Sequence, residues 1–291
     1  MNPKIRHTVL PLITAMIWGT AFSAQSMCAD HVQACTLNAA RGAIAFLLLL
    51  LMCVVRRVKI TDWKALITGG LCCGLALCLA SNLQQLGIET TSAGKAGFIT
   101  ALYIVLVPVG GVLLGKKSTW KVWLAVAIAV AGMYFLCMTE QFTVAPGDLY
   151  VAACALLFTV QIMCVDHFVQ KVDGMALSCA QFLVVALGSS VPMFAFEAPT
   201  WAGLQACIWP LLYIAVFSSC VGYTLQIIAQ KDANPTVVSL LLSVESVFAV
   251  IGGAVLLQER LTGRELLGCA LMMAAVVLAE LPDRKEAAAN V

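Results

Sequence analysis

Charge is what this sequence has least of. Lys, Arg, Asp and Glu together make up 11% of its 291 residues, less than half the roughly 25% of an ordinary soluble domain. A surface facing water needs more charge than that, so a soluble fold is excluded. Histidine is nearly absent as well: His7, His31 and His167 are the three, all at ends or in loops. They share no metal-ligand spacing with the cysteines or carboxylates, so neither a metal nor a cofactor is expected. There is no GxSxG, no HExxH and no phosphate loop. Enzymes that act inside a bilayer need two or more catalytic polar groups there, and one carboxylate is present, so an enzyme is not expected. A net charge of +2 with no basic cluster above three residues gives nucleic acid nothing to bind.

What is plentiful is apolar length. The chain is 62% hydrophobic with a mean hydropathy of +0.96. Ten apolar runs, roughly 9–28, 37–55, 64–85, 95–115, 121–138, 148–165, 176–196, 206–228, 236–257 and 265–281, match a bilayer core about 30 Å thick at 1.5 Å per residue. The expectation is an all-α polytopic membrane protein with ten transmembrane helices, short connections and the lipid bilayer as its main partner. Lys4 and Arg6 precede the first run as in a signal peptide, but no small-residue cleavage pattern closes it, so it is expected to be retained. The 13 cysteines are scattered through the runs and suit the role of small apolar residues. Cys28 and Cys35, near one membrane face, either pair or stay free.

The chain also repeats itself. Tyr103–Thr119, YIVLVPVGGVLLGKKST, returns 142 residues later as ESVFAVIGGAVLLQERL, Glu245–Leu261. Leu83-Gln84 aligns with Leu225-Gln226, and Ser92-Ala93 with Asn234-Pro235. Two five-helix repeats, 1–142 and 143–291, are therefore expected. An odd number of spans per copy turns the second upside down. Thirteen Lys and Arg, among them Arg56, Arg57, Lys116 and Lys117, fall on the side of the N-terminus, against Arg41, Lys95, Arg260 and Arg264 on the other. By the positive-inside rule both termini are cytoplasmic, which places the protein in the cytoplasmic membrane.

Polar groups inside apolar runs need a reason. Glu245 lies about ten residues into span nine, about 15 Å along the helix. A charged carboxylate there costs about 2.5–3.5 kcal/mol, so the group either links helices or faces a watery cavity, where it becomes a candidate for proton coupling. Trp18, Asn82, Gln85, Tyr103, Gln161 and Tyr223 are candidate substrate contacts beside it, with Thr20, Gln84 and Gln226 as further polar groups. Tyr103 and Glu245 occupy one repeat position and should face each other across a cavity. Gln84 and Gln226 share another, near opposite faces. Ser239, Ser243 and Ser246 form a stripe about 125° from Glu245 at 100° per residue. Small residues at Gly70/Gly74, Gly111/Gly115 and Ser218/Gly222 permit close helix contact. Pro108 and the Gly252-Gly253 pair are hinge candidates that serve either rocking or cavity shape.

The segments AMIWGTAF, LGIETTSAGKAGFITALYIVLVPVGGVLL and SLLLSVESVFAVIGGAVLLQERLTGRELLGCALMMAAVVL resemble the EamA-type permeases of the drug/metabolite transporter superfamily, in particular a YddG-like branch. The resemblance covers nearly the whole chain. It implies an inverted-repeat carrier whose central cavity is formed by spans one, three, four, six, eight and nine. Glu245 matches the acidic position of the family's Glu-Pro-x-x-Ala segment, with Ser246 in place of proline. The function implied is a secondary transporter of small metabolites working by alternating access, exporting amino acids or related compounds; a coupling proton at Glu245 and a monomeric working unit are expected with it. Uptake of a vitamin, nucleobase or sugar is the alternative. A membrane sensor or regulatory subunit is the alternative from another class.

Overall fold

The computed structural model of the chain describes residues 3–91, 93–115, 119–137, 145–231, 233–256 and 262–280. All elements among them are helical. In order they are α1 (Pro3–Ala29), α2 (Ala34–Val55), α3 (Trp63–Ile88), α4 (Ala93–Ala101), α5 (Tyr103–Leu113), α6 (Trp120–Cys137), α7 (Pro146–Phe168), α8 (Gly174–Phe196), α9 (Trp201–Ala206), α10 (Ile208–Tyr213), a π-helical segment (Ile214–Gly222), α11 (Tyr223–Gln230), α12 (Pro235–Leu242), α13 (Glu245–Leu256) and α14 (Gly263–Glu280). Seven helical runs among the described residues are long and apolar enough to cross a bilayer, and Trp120–Phe135 and Pro235–Ala249 are shorter apolar helices. Ser92, Lys116, Lys117, Glu259, Arg260 and the tail from Pro282 lie outside the described residues.

Helix starts follow from local chemistry. Asp62 accepts from the Ala65 amide at 2.9 Å, and Asp173 from the amides of Met175 and Ala176 at 2.9 and 3.1 Å. Asn234 caps α12 through the Thr236 amide at 2.9 Å, with Pro235 in the first helical position. Each bond satisfies one of the donors a helix start leaves open. The start of α2 is capped from far along the chain: Glu197, at the end of α8, accepts from the amides of Cys35 and Thr36 at 2.8 and 2.7 Å. Cys28 and Cys35 are both free thiols.

The helices are apolar outside as well as inside, as lipid requires. On α3, Ile67, Leu71, Leu75 and Leu79 form an exposed stripe at every fourth residue. The opposite face packs tightly: a Cβ on Gly70 would meet the Ala180 Cβ at 2.6 Å, and one on Gly74 the Val184 Cβ at 2.6 Å. These expected small residues do permit close approach of α3 to α8. Contacts run mainly between the two halves of the chain. α2 packs on α8, α6 on α14 and α3 on α7 and α8, while α1 packs on α10, the π segment and α11, and on α12 and α13.

Two spans are interrupted. α4 gives way to α5 at Leu102, where the Leu102 amide bonds to the Ile99 carbonyl at 3.2 Å and Val105 to Leu102 at 2.9 Å. α12 gives way to α13 at Ser243-Val244, where Val244 bonds to Leu241 at 3.4 Å, Ser246 to Ser243 at 3.2 Å and Val247 to Val244 at 2.9 Å. These are i→i−3 bonds, a tightened turn within a wider helix. The interruptions are therefore not at the expected hinges, since Pro108 sits inside α5 and Gly252-Gly253 inside α13. Serine hydroxyls bond to the backbone around the second break. Ser239, Ser243 and Ser246 donate to the carbonyls of Thr236, Leu240 and Ser243 at 2.9, 2.7 and 2.8 Å. Such back-bonding competes for backbone carbonyls and bends helices. Leu102 and Val244 are 142 residues apart, so both interruptions fall at one repeat position.

Candidate functional site

α1 turns Trp18, Ala21, Phe22 and Gln25 to one face, at i, i+3, i+4 and i+7. That face looks into a cavity with about 480 Å³ of empty space, its open part included. α2 adds Arg41, α3 adds Gln84, α4 and α5 add Thr100 and Tyr103, and α7 adds Phe158, Gln161 and Ile162. Ser218 of the π segment, Tyr223 and Gln226 of α11, and Glu245 of α13 complete the lining. The walls are apolar and aromatic with convergent polar groups, the composition of a small-molecule site.

At the heart of the cavity the Tyr103 hydroxyl donates to Glu245 Oε1 at 3.2 Å, both side chains being buried. The sequence puts these residues across a cavity from each other; the structure brings them into direct contact. Each begins a helix just after its interruption. Glu245 therefore sits in the first turn of α13, where amide dipoles favour negative charge. α1 crosses this point very closely. A Cβ on Gly19 would meet the Ala249 amide nitrogen and the Phe248 Cβ, each at 2.8 Å.

The aromatic wall is organised by Tyr223. Its ring lies 4.6 Å from that of Trp18 and 5.4 Å, edge-on, from Phe182. The Trp18 indole donates to the Ser218 carbonyl at 3.2 Å. Ser218 belongs to the nine-residue π segment, a rare winding that is frequent at functional sites. Gly222 makes room for the indole, since a Cβ there would stand 2.6 Å from the Trp18 ring nitrogen.

Amides line the remaining surface. Gln226 donates to Gln161 at 3.4 Å, and Gln161 donates to Gln181 at 3.3 Å. Gln84 donates to the Thr100 hydroxyl at 3.3 Å. Gln84 and Gln226 both line the cavity. Among the expected contacts, Trp18, Tyr103, Gln161, Tyr223 and Glu245 all reach the cavity. Asn82 and Gln85 do not line it. The Asn82 amide donates to the Cys78 carbonyl at 2.8 Å and the Ser189 hydroxyl at 2.9 Å and accepts from Asn38 at 3.0 Å, tying α2, α3 and α8 together. Gln85 donates to the Gln25 carbonyl at 3.3 Å, one layer behind the lining.

Arg41 is the residue that sequence reasoning misplaces. Counted as a charge outside the membrane, it is 4% exposed and faces the cavity. Its helix begins at Ala34, not 37, which sets Arg41 about 10 Å along α2. A basic residue within an apolar run was the available signal. Gln25, Phe22 and Thr100 were also missed, though Gln25 continues the helical spacing of Trp18.

Comparison with known proteins agrees with this architecture. The sequence pattern of the EamA-like transporter family matches residues 8–138 and again residues 145–281. An uncharacterized transporter from Archaeoglobus fulgidus is 29% identical over 270 residues, covering 92% of this chain and 84% of that protein. A protein of known crystal structure superposes with a TM-score of 0.79, covering 94% of this chain and 96% of its own; at 18% identity the likeness concerns the fold.

Proposed function

The chain belongs to the EamA-like transporter family and is a multi-pass membrane transporter, and from that premise we propose that it exports amino acids or related small metabolites by alternating access through the central cavity. The observation that carries this reading is the buried Tyr103–Glu245 hydrogen bond, made between positions 142 residues apart at the interruptions of two spans. A carboxyl at an internal helix start, within a cavity walled by Trp18, Tyr223 and glutamine amides, suits a solute with an ammonium group and an apolar body.

In this reading the halves 1–142 and 143–291 are inverted five-helix repeats in a ten-span carrier. Support comes from the exchange of partners between halves: α3 lies against α7 as α1 lies against the π segment and α11, while α2 pairs with α8 and α6 with α14. Both termini are cytoplasmic, and the membrane is the cytoplasmic one. In this reading the working unit is a monomer. Glu245 carries the coupling proton.

The test is uptake of labelled solutes into proteoliposomes, with and without an imposed pH gradient. Transport of amino acids above protein-free vesicles, increased by the gradient, is the expected result. Transport confined to vitamins, nucleobases or sugars would replace the substrate assignment.

A further inference from the structure

Most polar groups around the cavity have found a partner; the Arg41 guanidinium has hardly any. Its side chain is 4% exposed, Nη1 donates to Gln25 Oε1 over a long 3.4 Å, and Nε has no partner at all. Arginine stays protonated in any protein environment, so this charge cannot be shed as a buried lysine sheds its own. Tyr223, Cys28 and Cys78 are ionisable groups that act on it electrostatically. Tyrosine and cysteine ordinarily keep their protons at neutral pH and supply no negative charge. Glu245 lines the same cavity without pairing with Arg41. A full positive charge therefore stands buried, without an acidic partner, on the lining of the cavity. Burying an unpaired ion costs several kcal/mol in general, and a purely structural role would satisfy the guanidinium fork.

We propose that Arg41 is a substrate-binding residue whose guanidinium receives a carboxylate of the transported solute. This rests on the cavity being the solute site. The planar fork offers paired N–H donors that match a carboxylate, and an Nε left without a partner is one of the donors such a pair uses. Gln25, on the lining face of α1, holds the fork through Nη1 and leaves Nε free. Arg41 and Glu245, both on the lining of this cavity, form separate subsites, one for the anionic end of a solute and one for a cationic end. The solute class is amphoteric or anionic, carrying a carboxylate on a body that can lie against the Trp18 and Tyr223 rings.

The test uses purified full-length protein in lipid nanodiscs and three probes: L-phenylalanine, 3-phenylpropionate, which lacks the ammonium group, and phenethylamine, which lacks the carboxylate. Binding is followed by tryptophan fluorescence and by calorimetry for wild type, Arg41→Gln and Arg41→Lys. Arg41→Gln should weaken L-phenylalanine and 3-phenylpropionate by about tenfold or more, the range for loss of a charge-assisted hydrogen bond, and leave phenethylamine unchanged. Arg41→Lys keeps the charge and loses the fork, and should fall between. Thermal unfolding without probe should show Arg41→Gln at least as stable as wild type, because it removes an unpaired charge. Equal weakening of all three probes, unchanged binding of the two carboxylates, or a variant that no longer folds while Arg41→Lys binds normally would each overturn the assignment. If wild type binds phenethylamine but neither carboxylate at millimolar concentration, Arg41 is not the anion site and the cavity still is a solute site. If it binds none of the three, the amino-acid reading fails as well.

Discussion

A carboxyl group in the middle of a span needs a partner or a cavity, and Glu245 has both. It accepts one hydrogen bond from Tyr103, lies at a helix start and borders a cavity. The titratable groups that interact with it, Tyr103, Tyr223 and Cys154, ordinarily hold their protons at neutral pH. In the proposed reading Glu245 is thus the group of this cluster that carries the coupling proton. Glu245→Gln preserves the shape and the acceptor oxygen for Tyr103 and removes that proton carrier. We expect it to fold normally and to abolish the stimulation of transport by a pH gradient, measured in proteoliposomes. A variant with unchanged rate and pH profile would reduce Glu245 to a helix linker. Tyr103→Phe takes away only the donor and should lower stability by about 1–3 kcal/mol, the cost of leaving a buried acceptor unpaired.

At the scale of elements, the site depends on close crossings. The meeting of α1 with α13 at Gly19 and with the π segment at Gly222 leaves no space for a Cβ. Gly19→Ala and Gly222→Ala should each cost about 1–3 kcal/mol through overpacking, seen as a lower unfolding temperature in detergent. Gly97→Ala is the control: nothing lies within 4 Å of its added Cβ, and alanine is the better helix former. Which elements were legible follows from what encodes them. The Asn234-Pro235 start is written in cap chemistry and was readable, as were the apolar runs and the packing role of Gly70 and Gly74. The repeat register was readable too, and it alone brought Tyr103 to Glu245. The π segment was not, because no residue type demands i→i−5 bonding. Arg41 was misread because its place depends on where α2 begins, and α2 begins at Ala34 through a cap supplied by Glu197, 162 residues beyond Cys35. Asn82 resembled a ligand contact because local sequence does not reveal a partner such as Ser189 on α8.

For the whole molecule, the proposed inversion of the halves has a direct consequence for exposed loops. Arg57 follows α2 and Pro199 follows α8; they are 142 residues apart and both exposed. In a cysteine-free background, Pro199→Cys should react with an impermeant thiol reagent added to intact cells, and Arg57→Cys only after permeabilisation. Labelling of both from one side would rule inversion out. A second consequence concerns the Tyr103–Glu245 contact. Inverted halves can trade conformations, so that an inward-open carrier becomes an outward-open one by each half taking the other's shape. Elements far from the exchange axis must travel in that trade. A bond between equivalent positions of the two halves straddles the axis and is carried into itself. It works like the pivot of a seesaw: tightening or loosening it changes how freely the beam swings, and leaves the level at which the beam comes to rest to the weights at the two ends.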